Sequence, residues 1–284
     1  MIIVGADGSR TGLDAVAWAA REAALRRMPL TVANVVPKWV TRPAEGPYAE
    51  VGDWMRDGGE SVLNAAVDHA RQEAPGTDVQ AVLLPGDPRA ALIEAAKEAD
   101  LLVVGCRGHS AVRGLLVGSV AYGVAAHATV DTVLVQELHA LPRGEIVVGV
   151  DGSDAGRRAV GFAFQEAGLR VARLRAVQAW AWPQAGGFDP ADEQAEREAR
   201  RTLSATLAEF RERHPDVPVS EELSHGHPVE VLKEASATAD LLVVGTRGHG
   251  TFAGLVMGSV SQAMLHHAGC PVAVIRARPG EERP

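Results

Sequence analysis

Lysine is nearly missing from this chain, with three in 284 residues: Lys38, Lys97 and Lys233. None is followed by Ser or Thr, so no glycine loop ends in the Lys-Ser or Lys-Thr that reaches the outer phosphates of a nucleotide. Gly5, Gly8 and Gly12 likewise miss the G-x-G-x-x-G spacing of dinucleotide-binding turns. Cysteine is scarcer still: Cys106 and Cys270 occupy non-equivalent places in the two halves, which argues against a disulfide framework or a metal cluster. Cys106 lies near the start of a helix, where a thiol can be acidified, so redox sensing stands beside the plainer reading of a small incidental residue. No apolar run approaches the roughly eighteen residues that cross a bilayer. Met1 leads straight into a strand, leaving no room for a signal peptide, and a cytoplasmic protein is expected. Basic character is missing too. The net charge of −8 and pI of about 5.7 give no footprint for nucleic acid or an anionic membrane.

What is present is a repeat. DLLVVGCRGHSAVRGLLVGSV (100–120) returns as DLLVVGTRGHGTFAGLVMGSV (240–260), identical at 14 of 21 positions. In each copy a short apolar run ends at a glycine (Gly105, Gly245), and a second glycine follows three residues later (Gly108, Gly248). After nine more residues Gly118-Ser119 or Gly258-Ser259 opens a helical pattern. Strand, glycine loop and helix N-terminus in that order suit an anion: glycines let backbone approach a ligand, and the helix offers unpaired N–H groups and its positive dipole end. Phosphate charge would then fall to backbone N–H groups, the Ser119 and Ser259 hydroxyls, Arg107 and Arg247, and any bound Mg²⁺. That favours holding a nucleotide over cleaving it.

Length predicts two domains, 1–138 and 145–278, joined by a linker at 139–144. In the first, Ile2 to Ala6 reads as a strand ending in Asp7-Gly8-Ser9. A helix follows, then a strand from Leu30 to Val36. Pro37 to Gly59 holds three prolines and four glycines and is expected to be a long surface loop, with Trp39, Tyr48 and Trp54 as a lid or contact surface or, equally, a packed excursion. A helix from about Gly59 to Glu73 and a strand from Val79 to Leu84 come next. Asp87-Pro88 starts a third helix by the cap-then-proline rule. The repeated loop, a helix and the strand Val130 to Val135 close the half. The second half repeats this order from Ile146, with Asp151-Gly152-Ser153, strands at 171–179 and 217–223, and a last strand at 271–275. Alternating strands and helices imply parallel sheets with right-handed crossovers, whose ligands sit beyond the carboxyl ends of the strands at the topological switch point.

This constellation resembles the universal stress protein family in its tandem form. Gly105, Gly108, Gly118 and Ser119, and again Gly245, Gly248, Gly258 and Ser259, match the family's ATP-binding pattern, each with an Asp-Gly-Ser upstream. The resemblance implies an α/β fold of two tandem Rossmann-like (adenine nucleotide alpha hydrolase-like) domains, each a five-stranded parallel sheet with helices on both faces. It also implies ATP in each half. Asp7 and Asp151 would contact ribose or a phosphate-bound metal, and backbone at Val35 and Ala179 would read adenine. The glycine loops with Arg107, Arg247, Val120 and Val260 would hold ribose and phosphates. A regulatory ATP-binding module with little hydrolysis, an unidentified protein partner and a homodimer follow from the resemblance. A slow ATPase or phosphoryl-transferring enzyme and a dimerisation protein with vestigial sites are the alternatives. Structural readings stand beside these: glycines can serve packing, Asp before Gly-Ser can cap a helix, and His109 and His249 can pack the loops. His225 and His227 have no partner cluster for a metal.

Overall fold

The computed structural model describes residues 1–41, 48–106, 117–136, 138, 141–180, 190–246 and 257–277. By its contacts the chain divides into two units, Met1–Leu138 and His139–Pro284. The first alternates β1 (Ile2–Gly5), α1 (Arg10–Arg26), β2 (Leu30–Val36), α2 (Ala49–Glu73), β3 (Val79–Pro85), α3 (Pro88–Ala95), β4 (Leu101–Gly105), α4 (Ser119–His127) and β5 (Asp131–Val135). Its strands lie in the order β3-β2-β1-β4-β5 and pair in parallel. Helices cover both faces. A Cβ on Gly5 would meet Leu92 of α3 at 2.9 Å, while one on Gly59 of α2 would meet Val36 and Leu83 from the opposite face. Strands covered on both sides must be apolar throughout, which is why Leu101, Leu102, Val103 and Val104 are all buried and read as an unbroken run.

The second unit repeats the plan with β6 (Glu145–Gly149), α5 (Asp154–Arg170), β7 (Arg173–Trp180), α6 (Pro190–Arg213), β8 (Val219–His225), α7 (Pro228–Ser236), β9 (Leu241–Gly245), α8 (Ser259–His267) and β10 (Val272–Ile275). Its order is β10-β9-β6-β7-β8, again parallel. In both units the order reverses beside the first strand, between β1 and β4 and between β6 and β9. Crossovers leave those neighbours in opposite directions, so a crevice opens at their carboxyl ends.

Two sequence expectations change. The Pro37 to Gly59 segment is not all loop, because α2 begins at Ala49 and carries Gly52, Gly58 and Gly59 within it. Gly59 is a packing residue and not a turn residue: a Cβ there would come within 2.9 Å of Leu83, 3.0 Å of Val36 and 3.1 Å of Asn34 Oδ1. The strand placed from Val171 starts instead at Arg173, because Val171 caps α5 in the left-handed region at φ 52°, ψ 41°. A β-branched residue is strained there, and Val171 is 95% exposed, so it gains no burial in return. Relief of about 1–2 kcal/mol, less about 0.5–1 kcal/mol for the freer unfolded chain, predicts that Val171→Gly stabilises the second unit. The expected rise in Tm is about 2 °C, and a scan showing no rise or a fall would mean that no such strain is stored.

Candidate functional site

Each crevice begins with an acidic turn at the end of the first strand. Gly8 at φ 81° allows the chain to double back, so that Asp7 Oδ1 accepts from the Ser9 backbone N–H at 2.9 Å and from the Ser9 hydroxyl at 2.6 Å. Ser9 Oγ in turn accepts from the Gly12 N–H at 3.1 Å, capping α1. The second unit builds the same relay: Gly152 at φ 80°, Asp151 Oδ1 held by Ser153 N–H at 2.9 Å and Ser153 hydroxyl at 2.7 Å, and Ser153 Oγ on Gly156 N–H at 3.0 Å. One carboxylate oxygen is thus committed to the turn, which fixes where the carboxylate points.

Gly12 and Gly156 belong to this device, although sequence reasoning singled out neither as a site residue. A Cβ on Gly12 would fall 2.6 Å from Asp7 Oδ1, and one on Gly156 would collide with Asp151 Oδ1. The signal was available in the shared spacing D-G-S-x-x-G.

The opposite wall is the end of β4 or β9. Gly5 pairs with Val104, which sets Asp7 beside the residues that leave β4. There Cys106 N–H donates to Val135 O at 2.8 Å and Gly118 N–H donates to Cys106 O at 2.7 Å, pinning the two feet of the glycine loop together. Thr246 and Gly258 do the same, with Thr246 N–H on Ile275 O at 2.9 Å and Gly258 N–H on Thr246 O at 2.8 Å. The loops between, with Arg107, Gly108, His109, Arg247, Gly248 and His249, lie outside the described residues.

Gly118 and Gly258 are the N-caps of α4 and α8. Their backbones, at φ −71°, ψ 153° and φ −68°, ψ 152°, suit any residue, so glycine is not there for conformation. Neither helix has a side-chain cap, whereas α1 and α5 are capped by serine. Ser119 and Ser259 follow and are exposed, with Val120 and Val260 half-buried behind them. First-turn N–H groups that no side chain caps, with an exposed serine beside them, are a donor set that fits a phosphate.

The third wall is β2. Its ladder with β1 stops at Gly5↔Ala33, yet β2 runs on to Val36, so Val35 lies beyond the end of β1. Ala179 stands likewise beyond Val177, the last β7 residue paired to β6. Asn34 steadies the junction by donating from Nδ2 to Ala6 O at 2.7 Å. Among the described residues no cluster of three or more His, Cys, Asp or Glu is placed to hold a metal ion, and no helix is long and apolar enough to cross a membrane. His227 serves instead as the N-cap of α7, its Nδ1 accepting from Val229 N–H at 3.3 Å. Both cysteines are buried, and burial pushes the Cys270 thiol up to about 12.

The sequence profile of the universal stress protein family matches residues 1–136 and 143–276. Universal stress protein Rv2005c of Mycobacterium tuberculosis is 36% identical over 285 residues, covering 97% of this chain and 96% of its own. Universal stress protein Rv2623 of the same species is 35% identical over 290 residues, with the same coverage. The crystal structure of a universal stress protein from Archaeoglobus fulgidus superposes with a TM-score of 0.69 at 19% identity, covering 99% of this chain and 97% of that one, a likeness of fold. With the profile matched twice along nearly the whole length, and the same acidic turn and pinned glycine loop built in each unit, the chain belongs to the universal stress protein family in its tandem two-domain form.

Proposed function

We propose that this protein is a regulatory module that holds one ATP in each half. The observation that carries the reading is the pairing, made twice, of an oriented carboxylate with a helix N-terminus that lacks a side-chain cap, across one switch-point crevice. Adenine would lie along the protruding ends of β2 and β7 at Val35 and Ala179. Asp7 and Asp151 would meet the ribose or a Mg²⁺ carried by the phosphates. The phosphates would rest on the N–H groups of Gly118, Ser119 and Val120, or Gly258, Ser259 and Val260, with Gly108, Gly248, Arg107 and Arg247 contributed by the loops.

Hydrolysis would be slow. The chain has no phosphate-loop lysine, and one oxygen of each of Asp7 and Asp151 is already held by its serine turn. Calorimetric titration with ATP is expected to give two sites per chain, and phosphate release is expected far below the median enzyme rate of about 10 per second. A single site would confine the function to one half. Release faster than about one per second, lost on changing Asp7 and Asp151, would make the protein an ATPase.

A second reading has one observation behind it. Gly105 is required by packing, since a Cβ there would sit 2.6 Å from Thr11 O. That part of the motif would persist in a dimerisation protein whose sites no longer bind, and a titration with no heat of binding would select that reading.

A further inference from the structure

The start of α2 is built to stand clear of its own domain. Its 25 residues extend about 37 Å, against about 23 Å for the seven-residue strands β2 and β3 that it packs on. The excess lies at the N-terminal end. From Gly59 onward the helix buries Gly59, Leu63, Ala66, Val67 and Ala70, whereas before Gly59 it buries Gly52 alone. The overhanging turns therefore project past the carboxyl edge of the sheet, and they are apolar on the outside. Tyr48 is 72% exposed, Trp54 75%, and Val51 and Trp39 both 45%. The turn that carries Trp39 is fastened: Val40 is buried, and Arg56 Nη2 donates to Val40 O at 2.7 Å while its Nη1 holds Asp53 Oδ1 at 2.9 Å. These aromatics are held out by a braced scaffold.

While Lys38 is exposed beside Trp39 at the edge of the patch, the exposed charge along the overhanging part of α2 is acidic. Glu50, Asp53, Asp57 and Glu60 are exposed there, and Arg56, the one cation between Ala49 and Glu60, is taken up by the brace. Four carboxylates against Lys38 leave the face net acidic, which disfavours nucleic acid and the triphosphate of a nucleotide as occupants. It also disfavours a second copy of a chain whose net charge is −8. Arginine and lysine satisfy both halves of the surface at once, because the cation stacks on a Trp or Tyr face while pairing with the carboxylates, and its stem covers apolar area. Within α6, the matching helix of the second unit, the one aromatic is Phe210, which stacks on Phe164, so α6 itself carries no such exposed aromatic face.

We propose that the overhang of α2, with Trp39, Tyr48, Val51 and Trp54 inside a rim of Glu50, Asp57 and Glu60, is a docking surface for a basic segment of a partner protein with interspersed apolar residues. This does not depend on nucleotide binding. The probe is a fluorescein-labelled, end-capped peptide of alternating Arg and Leu, added to the full chain at about 50 mM salt to limit screening, with a Glu-Leu peptide as control. Anisotropy is expected to show saturable binding of the Arg-Leu peptide that weakens with salt and is absent for the control. A Tyr48→Ser and Trp54→Ser variant, and separately a Glu50→Lys and Asp57→Lys variant, should each weaken it by about tenfold or more, the loss of about 1.4 kcal/mol of cation–π and charge pairing. All four positions are exposed, so both variants should melt with the wild type. Equal binding of the Glu-Leu peptide, unchanged affinity in both variants, or no binding of the Arg-Leu peptide would overturn the proposal. So would a dimer in sedimentation that Trp54→Ser splits, since the occupant would then be a second copy.

Discussion

A chain carrying Gly118→Val and Gly258→Val together is expected to fold, and to gain no thermal stability from ATP. Both residues sit in extended backbone that valine adopts without strain, so the change adds bulk and little else. Valine is a poorer N-cap than glycine, which lowers the nucleotide-free melting point slightly, by about 1 kcal/mol at each helix. The large effect is on the ligand. If ATP binds the wild type at about 10 μM and is supplied at about 1 mM, mass action stabilises each liganded unit by about 2.7 kcal/mol, a rise of about 5–10 °C for units of this size. The variant should lose that rise, because isopropyl groups at the two N-caps would stand where the phosphates are proposed to rest. Retention of the full shift would show that the phosphates lie elsewhere.

Gly105→Ala is expected to damage the first unit with no ligand present. A Cβ at that position would lie 2.6 Å from Thr11 O, 2.7 Å from Thr11 C and 2.9 Å from Gly12 N. All three are backbone atoms of the first turn of α1, and that turn is held by the Ser9 cap and by Leu13 N–H on Ser9 O at 2.9 Å. No side chain can rotate away to make room. Either α1 lifts from the sheet or the end of β4 shifts, and both disturb the Asp7 turn. Overpacking of this kind falls at or above the upper end of the usual range, about 3 kcal/mol, or about 10 °C in the apo melting scan. Gly58→Ala is the contrast: nothing lies within 4 Å of a Cβ there, so helix propensity alone acts and stability should rise by up to about 1 kcal/mol. A loss below about 1 kcal/mol for Gly105→Ala would mean that the strand end yields easily, and the packing role would fall.

Gly105 and Gly118 belong to one sequence motif but sit in different structural settings. Spacing in the sequence marks both, but does not say that Gly105 answers to the backbone of α1 while Gly118 is the N-cap of α4 in extended backbone, with no side-chain cap. Asp7 is a similar case. Its place before Gly-Ser is consistent with a helix cap or a ligand contact. In the folded chain Ser9 is the cap, and one Asp7 oxygen is held by the Ser9 hydroxyl and N–H.

By itself the sequence determined the duplication, the alternation of strands and helices, the buried strand before each glycine loop, and family membership. These are local signals: an apolar run long enough for one strand, a cap followed by proline at Asp87, a 14-in-21 repeat. The tertiary structure alone decided which atoms face a missing side chain. Gly59 reads as a loop residue until β2 and β3 are placed against it. Val171 reads as strand until the end of α5 takes it at positive φ. Trp39, Tyr48 and Trp54 suit a lid, a contact surface or a packed excursion until the start of α2 is placed, which leaves all three exposed. In each case the deciding partner lies in another element, brought close by the strand order, and side-chain periodicity along one segment holds no record of it.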